Sequence, residues 1–241
     1  SAICLRVFDG RKLRSIGYQF HVGWWQDYLK GIGLATLMIT VIVLVQIAFG
    51  KLSLSWNASA GASMGRSLLT ALILFNVAAC FEELIFRGYP LQTLLMDVHP
   101  AIAFIIPSGL FALGHLLNPN VSALAASNTA LAGIWLSVAY FKTRSLWFVT
   151  GLHFAWNFSM GSIYGLNVSG IEQATRGAVF KASQAGPQWL TGGSYGPEGG
   201  IGVTIILILT TAWLWRTEKM KPAPESLAGL KPYPTTGQIA D

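Results

Sequence analysis

The sequence predicts an all-α protein, a polytopic transmembrane helical bundle of about six to eight spans. Three observations predict it. Hydrophobic residues make up 53% of the 241 residues and charged residues only 11%, where a soluble domain carries about 25% charged residues. Mean hydropathy is +0.52. The apolar residues gather into runs of about 20, long enough to cross a bilayer as helices. The same composition excludes intrinsic disorder, which needs low hydrophobicity and high charge.

Six runs are expected to form spans. The first, 31–50, is GIGLATLMITVIVLVQIAFG. The second, 67–87, begins SLLTALILFNVAACFEELIF. The third, 101–117, holds Pro107, a residue expected to kink it. The fourth and fifth are 122–141 and 145–165, and the sixth, 200–215, is GIGVTIILILTTAWLW. Pro90 and Pro100 bracket a short segment, 91–98, expected as an interfacial helix. Gly161 and Gly165 have the small-xxx-small spacing that lets two helices approach closely. Residues 166–199, rich in Gly, Ser and Gln, are expected to be a spacer rather than a lid. They end in the flexible run TGGSYGPEGG, which lacks the Lys-Ser/Thr of a phosphate loop. Residues 217–241 read as a flexible C-terminal tail.

The charges set the topology. The formal net charge is +6, but its positions do not form a nucleic-acid stripe. Arg6, Arg11, Lys12, Arg14 and Lys30 precede the first run, Lys142 and Arg144 sit between the fourth and fifth, and Arg216, Lys219, Lys221 and Lys231 follow the last. An even number of spans puts all three clusters on one side, the positive-inside pattern of a membrane protein. Lys51 and Arg66 run against it. Both termini are therefore expected in the cytoplasm. The compact basic N-terminus, without an organelle-targeting signal, points to a bacterial inner membrane. The expected organisation is a basic segment at 1–30, a transmembrane unit at 31–216 and the tail. Cys4 and Cys80 form neither a disulfide framework nor a CxxC metal pair.

Against this background a few polar residues stand out. An ionisable group inside a span is costly and marks a candidate functional site. Glu82 and Glu83 follow the apolar stretch from Leu68 to Phe81. Arg87 follows Glu83 at i+4, on the same helix face and in the favourable order for a pair. Glu82 lies about 100° around the helix and points elsewhere. The bland alternative is an interfacial helix end where both glutamates reach water. His115 ends the third run. His153 and Asn157, at i and i+4, share a face of the fifth run. Each His alone could be a helix–helix hydrogen bond. Together with Glu82 they form a carboxylate, two imidazoles and an amide on three helices.

That set suits hydrolysis of an amide by an activated water. A desolvated carboxylate can take a proton from water, a His can orient that water, and a second His and an amide can donate to a developing oxyanion. The GxSxG nucleophile elbow and the HExxH zinc motif are absent.

Glu82-Glu83-Leu-Ile-Phe-Arg87 reads as EExxxR, Phe111-Ala-Leu-Gly-His115 as FxxxH, and His153-Phe-Ala-Trp-Asn157 as HxxxN. In this order, each on an apolar helix, they resemble the CPBP family of CAAX proteases and bacteriocin-processing enzymes. That family includes the type II CAAX prenyl endopeptidase, which removes the last three residues of prenylated proteins. The resemblance covers residues 67–165. The chain has six long apolar runs where the family's well-described members have eight spans. The resemblance implies that Glu82 is the catalytic glutamate, working with His115 on water, and that His153 and Asn157 form the oxyanion hole. It implies that Glu83 and Arg87 fix the geometry and that Phe111 lines the substrate position, a residue that on sequence alone is a packing residue. It also implies a metal-free mechanism with no cofactor, although Glu82, His115 and His153 could instead ligate zinc. The expected partners are a peptide or protein substrate reaching the site from the membrane or its interface, and the lipid bilayer. Nucleic acid is not expected. The rival readings are a proton-relay transporter, which predicts an internal repeat that the sequence lacks, and a catalytically silent immunity or scaffold protein.

Overall fold

The computed structural model describes residues 17–224. Of the expected terminal segments, 1–16 and 225–241 lie outside the described residues. In chain order the elements are α1 (Trp24–Ala48), β1 (Leu52–Trp56), α2 (Met64–Glu83), α3 (Tyr89–Asp97), α4 (Pro100–His115), α5 (Ala123–Thr143), α6 (Leu146–Phe158), β2 (Phe180–Gln184), the single turn α7 (Gln188–Thr191) and α8 (Ile201–Arg216). A π-helical turn, Leu84–Gly88, joins α2 to α3, and a second, Ser159–Ile163, continues α6. The architecture is the expected helical bundle.

Helices occupy all six apolar runs, and the expected count of six to eight spans is only roughly matched. Among the described residues, three helical stretches are long and apolar enough to cross a membrane: Trp24–Ala48, the stretch within Ala58–Asp97, and Ala123–Thr143. α4 and α8 have 16 residues each, a rise of about 24 Å against a hydrocarbon core of about 30 Å. α6 has 13 residues before its π turn. It is the central helix, buried from Phe148 to Trp156. Hydropathy alone cannot separate a helix buried in protein from one bathed in lipid. α4 runs unbroken through Pro107, with Ser108 Oγ donating to the Phe104 carbonyl at 2.6 Å. The segment between Pro90 and Pro100 forms α3 as expected.

α1 packs on α6, and the crossing requires glycine. A Cβ on Gly151 would run into the Tyr28 carbonyl, and one on Gly31 into the Phe148 carbonyl. The expected close helix approach at Gly161 and Gly165 is not found. A Cβ at Gly161 would meet the Ala174 carbonyl at 2.8 Å and Val168 at 3.0 Å. At Gly165, whose φ is +66°, it would meet the carbonyl of Phe180. Both glycines admit the segment that follows α6, at Gly161 a single 3-10 turn (Glu172–Thr175) and at Gly165 the start of β2, and not a second bundle helix.

The bundle has two distinct ends. At one, Leu146 N–H donates to Gly17 O at 3.0 Å, Trp147 Nε1 to Gln19 O at 3.0 Å, and Lys142 Nζ to Trp215 O at 3.2 Å. At the other lies the connection read from sequence as a flexible spacer. The structure corrects that reading. β2 pairs antiparallel with β1, Leu52 opposite Gln184 and Trp56 opposite Phe180. Asn57 Nδ2 donates to Ala178 O at 2.8 Å. Leu166, Val168, Ala178 and Tyr195 are buried. Residues 166–200 are a folded cap.

Candidate active site

The site begins where α2 ends. Its last turn carries Glu82 and Glu83, and the chain then passes into the π turn that holds Arg87. Such turns occur mostly as single insertions, frequently at functional sites. At Gly88 ψ is −111°, outside the helical range, and Pro90 opens α3. α2 therefore delivers its two carboxylates into the bundle.

The two glutamates part company as the helical geometry predicts. Glu83 is fully buried, as is Arg87. Arg87 Nη1 donates to Glu83 Oε1 at 3.1 Å and Nη2 donates to the Gly133 carbonyl of α5 at 3.0 Å. The guanidinium lies 4.8 Å from the centroid of the Phe111 ring and 5.8 Å from that of Phe86. Gly133 lets α4 and α5 close on this pair, since a Cβ there would sit 2.8 Å from Ser108 Cα. The interfacial-end reading fails for Glu83, whose side chain has no exposed surface. The Glu82 side chain is 31% exposed.

α6 brings the next members. His153 Nδ1 lies 2.7 Å from Glu83 Oε1. Its other nitrogen, Nε2, faces Glu82 Oε2 at 3.8 Å. A carboxylate can only accept, so Nδ1 carries a proton. The ring thus stands between two carboxylates. His115, the last residue of α4, has Nδ1 at 2.8 Å from its own helix's Phe111 carbonyl. A carbonyl also only accepts, so Nδ1 is again the protonated nitrogen and Nε2 is left for other work. The Phe111 ring separates the two imidazoles, with centroids 4.5 Å from His115 and 6.0 Å from His153.

A cavity of about 350 Å³ opens onto these groups. Glu82, Phe111, His115, His153 and Asn157 all line it. Glu83 and Arg87 do not; they stand behind His153. The seven residues singled out from sequence are thus brought together, five on the wall and two in support. Among the described residues, no three His, Cys, Asp or Glu side chains gather as a metal-binding group.

Sequence reasoning missed the cap's share of the cavity. Val168, Ser169, Ile171 and Glu198 line it too. Glu198 Oε1 accepts from Trp156 Nε1 at 3.1 Å. Burial, with the Glu198 carboxylate adding to it, pushes the Tyr195 phenol above its usual range. The available signal was scarcity: Glu198 is one of only ten acidic residues in the chain.

The fold and site together describe a helical bundle, with helices apolar enough to cross a membrane, that gathers a few polar side chains around one cavity. Residues 64–159 match the model of the family described as type II CAAX prenyl endopeptidase Rce1-like. That stretch runs from the first residue of α2 to the residue after α6 and contains all seven motif residues. The resemblance drawn from the motifs holds over it, and it supports a membrane peptidase of the CAAX type. No curated protein and no solved structure matches the chain.

Proposed function

We propose that the protein is an intramembrane endopeptidase that cleaves a peptide bond with an activated water. The observation that carries this reading is the convergence of Glu82 from α2, His115 from α4, and His153 and Asn157 from α6 on one cavity.

In this reading water sits between the Glu82 carboxylate and His115 Nε2. Its oxygen attacks the scissile carbonyl carbon as Glu82 takes its proton. The carbonyl oxygen becomes an oxyanion. His153 and Asn157 stabilise it, each donor worth about 2.7–4 kcal/mol. A doubly protonated His153 suits its place: Nδ1–H serves Glu83, and Nε2–H remains on the cavity side. Glu82 then returns the proton to the amine nitrogen as the C–N bond breaks. Glu83 and Arg87 hold His153 in register, and Phe111 forms part of the substrate wall. The substrate is a peptide or protein segment reaching the cavity from the membrane or its interface. The protease unit spans 31–216, in a bacterial inner membrane with both termini in the cytoplasm.

A zinc-dependent variant of the same chemistry would draw its ligands from Glu82, His115 and His153. The experiment for the main reading compares protein termini in membranes from cells making the wild-type chain or Glu82→Gln. New termini that appear with the wild type and vanish with Glu82→Gln are expected. Identical sets of termini would sink the proposal.

A further inference from the structure

The matched family region stops at residue 159, yet the cavity wall continues into the cap. The turn Val168–Ile171 supplies three of its four residues to that wall. Ile171 N–H donates to Val168 O at 2.8 Å, closing the turn. Its two central residues, Ser169 and Gly170, have φ of 49° and 81°. Positive φ at both central positions is the type I′ pattern, which favours Gly, Asn or Asp. Gly170 meets that demand at no steric cost. Ser169 does not, because a side chain makes the left-handed region unfavourable.

Something must hold Ser169 there, and Glu198 is in place to do so. Its Oε2 accepts from Ser169 N–H at 2.6 Å and from Ser169 Oγ at 2.8 Å. Its Oε1 accepts from Trp156 Nε1 at 3.1 Å. Trp156 adjoins Asn157 on α6. The Glu198 backbone carbonyl accepts from Asn128 Nδ2 at 2.8 Å. Asn128 Nδ2 also donates to Gly200 O at 3.0 Å, and Asn128 Oδ1 accepts from Thr204 at 2.6 Å. Glu198 therefore ties α5, α6 and the strained turn together, and Asn128 carries the tie on to the start of α8. Charged acceptors make the stronger hydrogen bonds.

We propose that Glu198 is a positioning residue of the peptidase site: it pins the Val168–Ile171 turn to α6 beside Asn157 and so fixes the cavity wall on which a peptide substrate lies. The proposal rests on the peptidase reading for its kinetic consequence. Its structural consequence stands apart from that reading. With both carboxylate oxygens already engaged by the protein, Glu198 acts through the wall and not on the reacting atoms.

The test has two arms on the full-length protein in detergent. The first measures amide hydrogen exchange over residues 166–171 in the wild type, Glu198→Ala and Glu198→Gln. Exchange is expected to speed up in Glu198→Ala, less in Glu198→Gln, and to slow again when Ser169→Gly relieves the backbone in the Glu198→Ala chain. Wild-type exchange in Glu198→Ala would overturn the proposal, as would the lack of any recovery with Ser169→Gly. If Glu198→Ala does not fold, Glu198→Gln alone decides: unchanged exchange overturns the pin and faster exchange supports it. The second arm uses a fluorogenic peptide built on a cleavage site found in the comparison of termini. Glu198→Ala is expected to raise KM with kcat nearly unchanged, and Ser169→Gly to restore KM. A fall in kcat at constant KM would overturn the positioning role. If the wild-type chain cleaves nothing, the peptidase reading fails, while the exchange arm still tests the pin.

Discussion

Glu83 Oε1 holds two residues at once, His153 Nδ1 at 2.7 Å and Arg87 Nη1 at 3.1 Å. One oxygen of a fully buried carboxylate thus joins the polar end of α2 to the central helix. Removing one partner of a buried pair strands the other charge, at a cost of about 3–5 kcal/mol. Arg87→Ala is therefore expected to lower the Tm of the detergent-solubilised protein sharply, and Glu83→Ala likewise. The double substitution Glu83→Gln with Arg87→Met removes both charges together and is expected to recover much of the loss. Equal Tm in the wild type and Arg87→Ala would refute this account of the pair.

Asn157 lines the cavity and is a proposed oxyanion donor. Asn157→Ala is expected to lower kcat about 10²–10³-fold, the usual effect of deleting one such donor, with little change in Tm. Steady-state kinetics beside a thermal melt check this. A change in KM alone would mean that Asn157 binds substrate without stabilising the oxyanion.

The glutamate mechanism and its zinc alternative part on metal content. The glutamate mechanism predicts that exhaustive chelation leaves the cleavage rate unchanged and that elemental analysis finds less than one zinc per chain. Stoichiometric zinc whose removal abolishes cleavage, and whose return restores it, would decide for the metal.

The Gly31–Gly151 crossing leaves no space for a side chain. Gly151→Val is expected to destabilise the bundle by at least the 1–3 kcal/mol typical of overpacking. Gly33→Ala on α1, two residues from Gly31, has nothing within 4 Å of the added carbon and is expected to leave Tm essentially unchanged. Comparable losses for both would show that the crossing is looser than the structure indicates.

Much of this was legible in the sequence, and the limits have physical causes. The positions of the helices in the six apolar runs follow from hydropathy, since burial in lipid and burial in protein both select apolar side chains. The convergence of Glu82, His115, His153 and Asn157 followed from the cost of placing polar groups there. The number of full spans did not follow, because the 16 residues of α4 look as apolar as the longer helices. The pairing of Leu52–Trp56 with Phe180–Gln184 joins segments far apart in the chain and has no local signature. The role of Gly161 was misread for a related reason. Small-xxx-small spacing reports that something approaches closely, not whether it is a helix or the Ala174 carbonyl. Glu198 was hidden by its setting, since a Gly-rich run reads as loose until its hydrogen bonds are seen.

The helices that carry the site are anchored very unequally. α6 is enclosed by its neighbours and locked to α1 backbone against backbone at Gly151 and Gly31. α2 packs chiefly on α6 and hardly touches α4, and Leu69, Leu72, Ile73, Leu74, Val77 and Phe81 are exposed along it. His153 and Asn157 therefore belong to the rigid part of the molecule, while Glu82 rides on its least constrained helix. A sideways displacement of α2 alters the 3.8 Å separation between Glu82 and His153 and leaves the spacing of His153 and Asn157 untouched. Bilayer thickness and lateral pressure would act directly on α2, so the surrounding lipid would have mechanical leverage on the Glu82 carboxylate and little on His153 and Asn157, which sit on the enclosed helix.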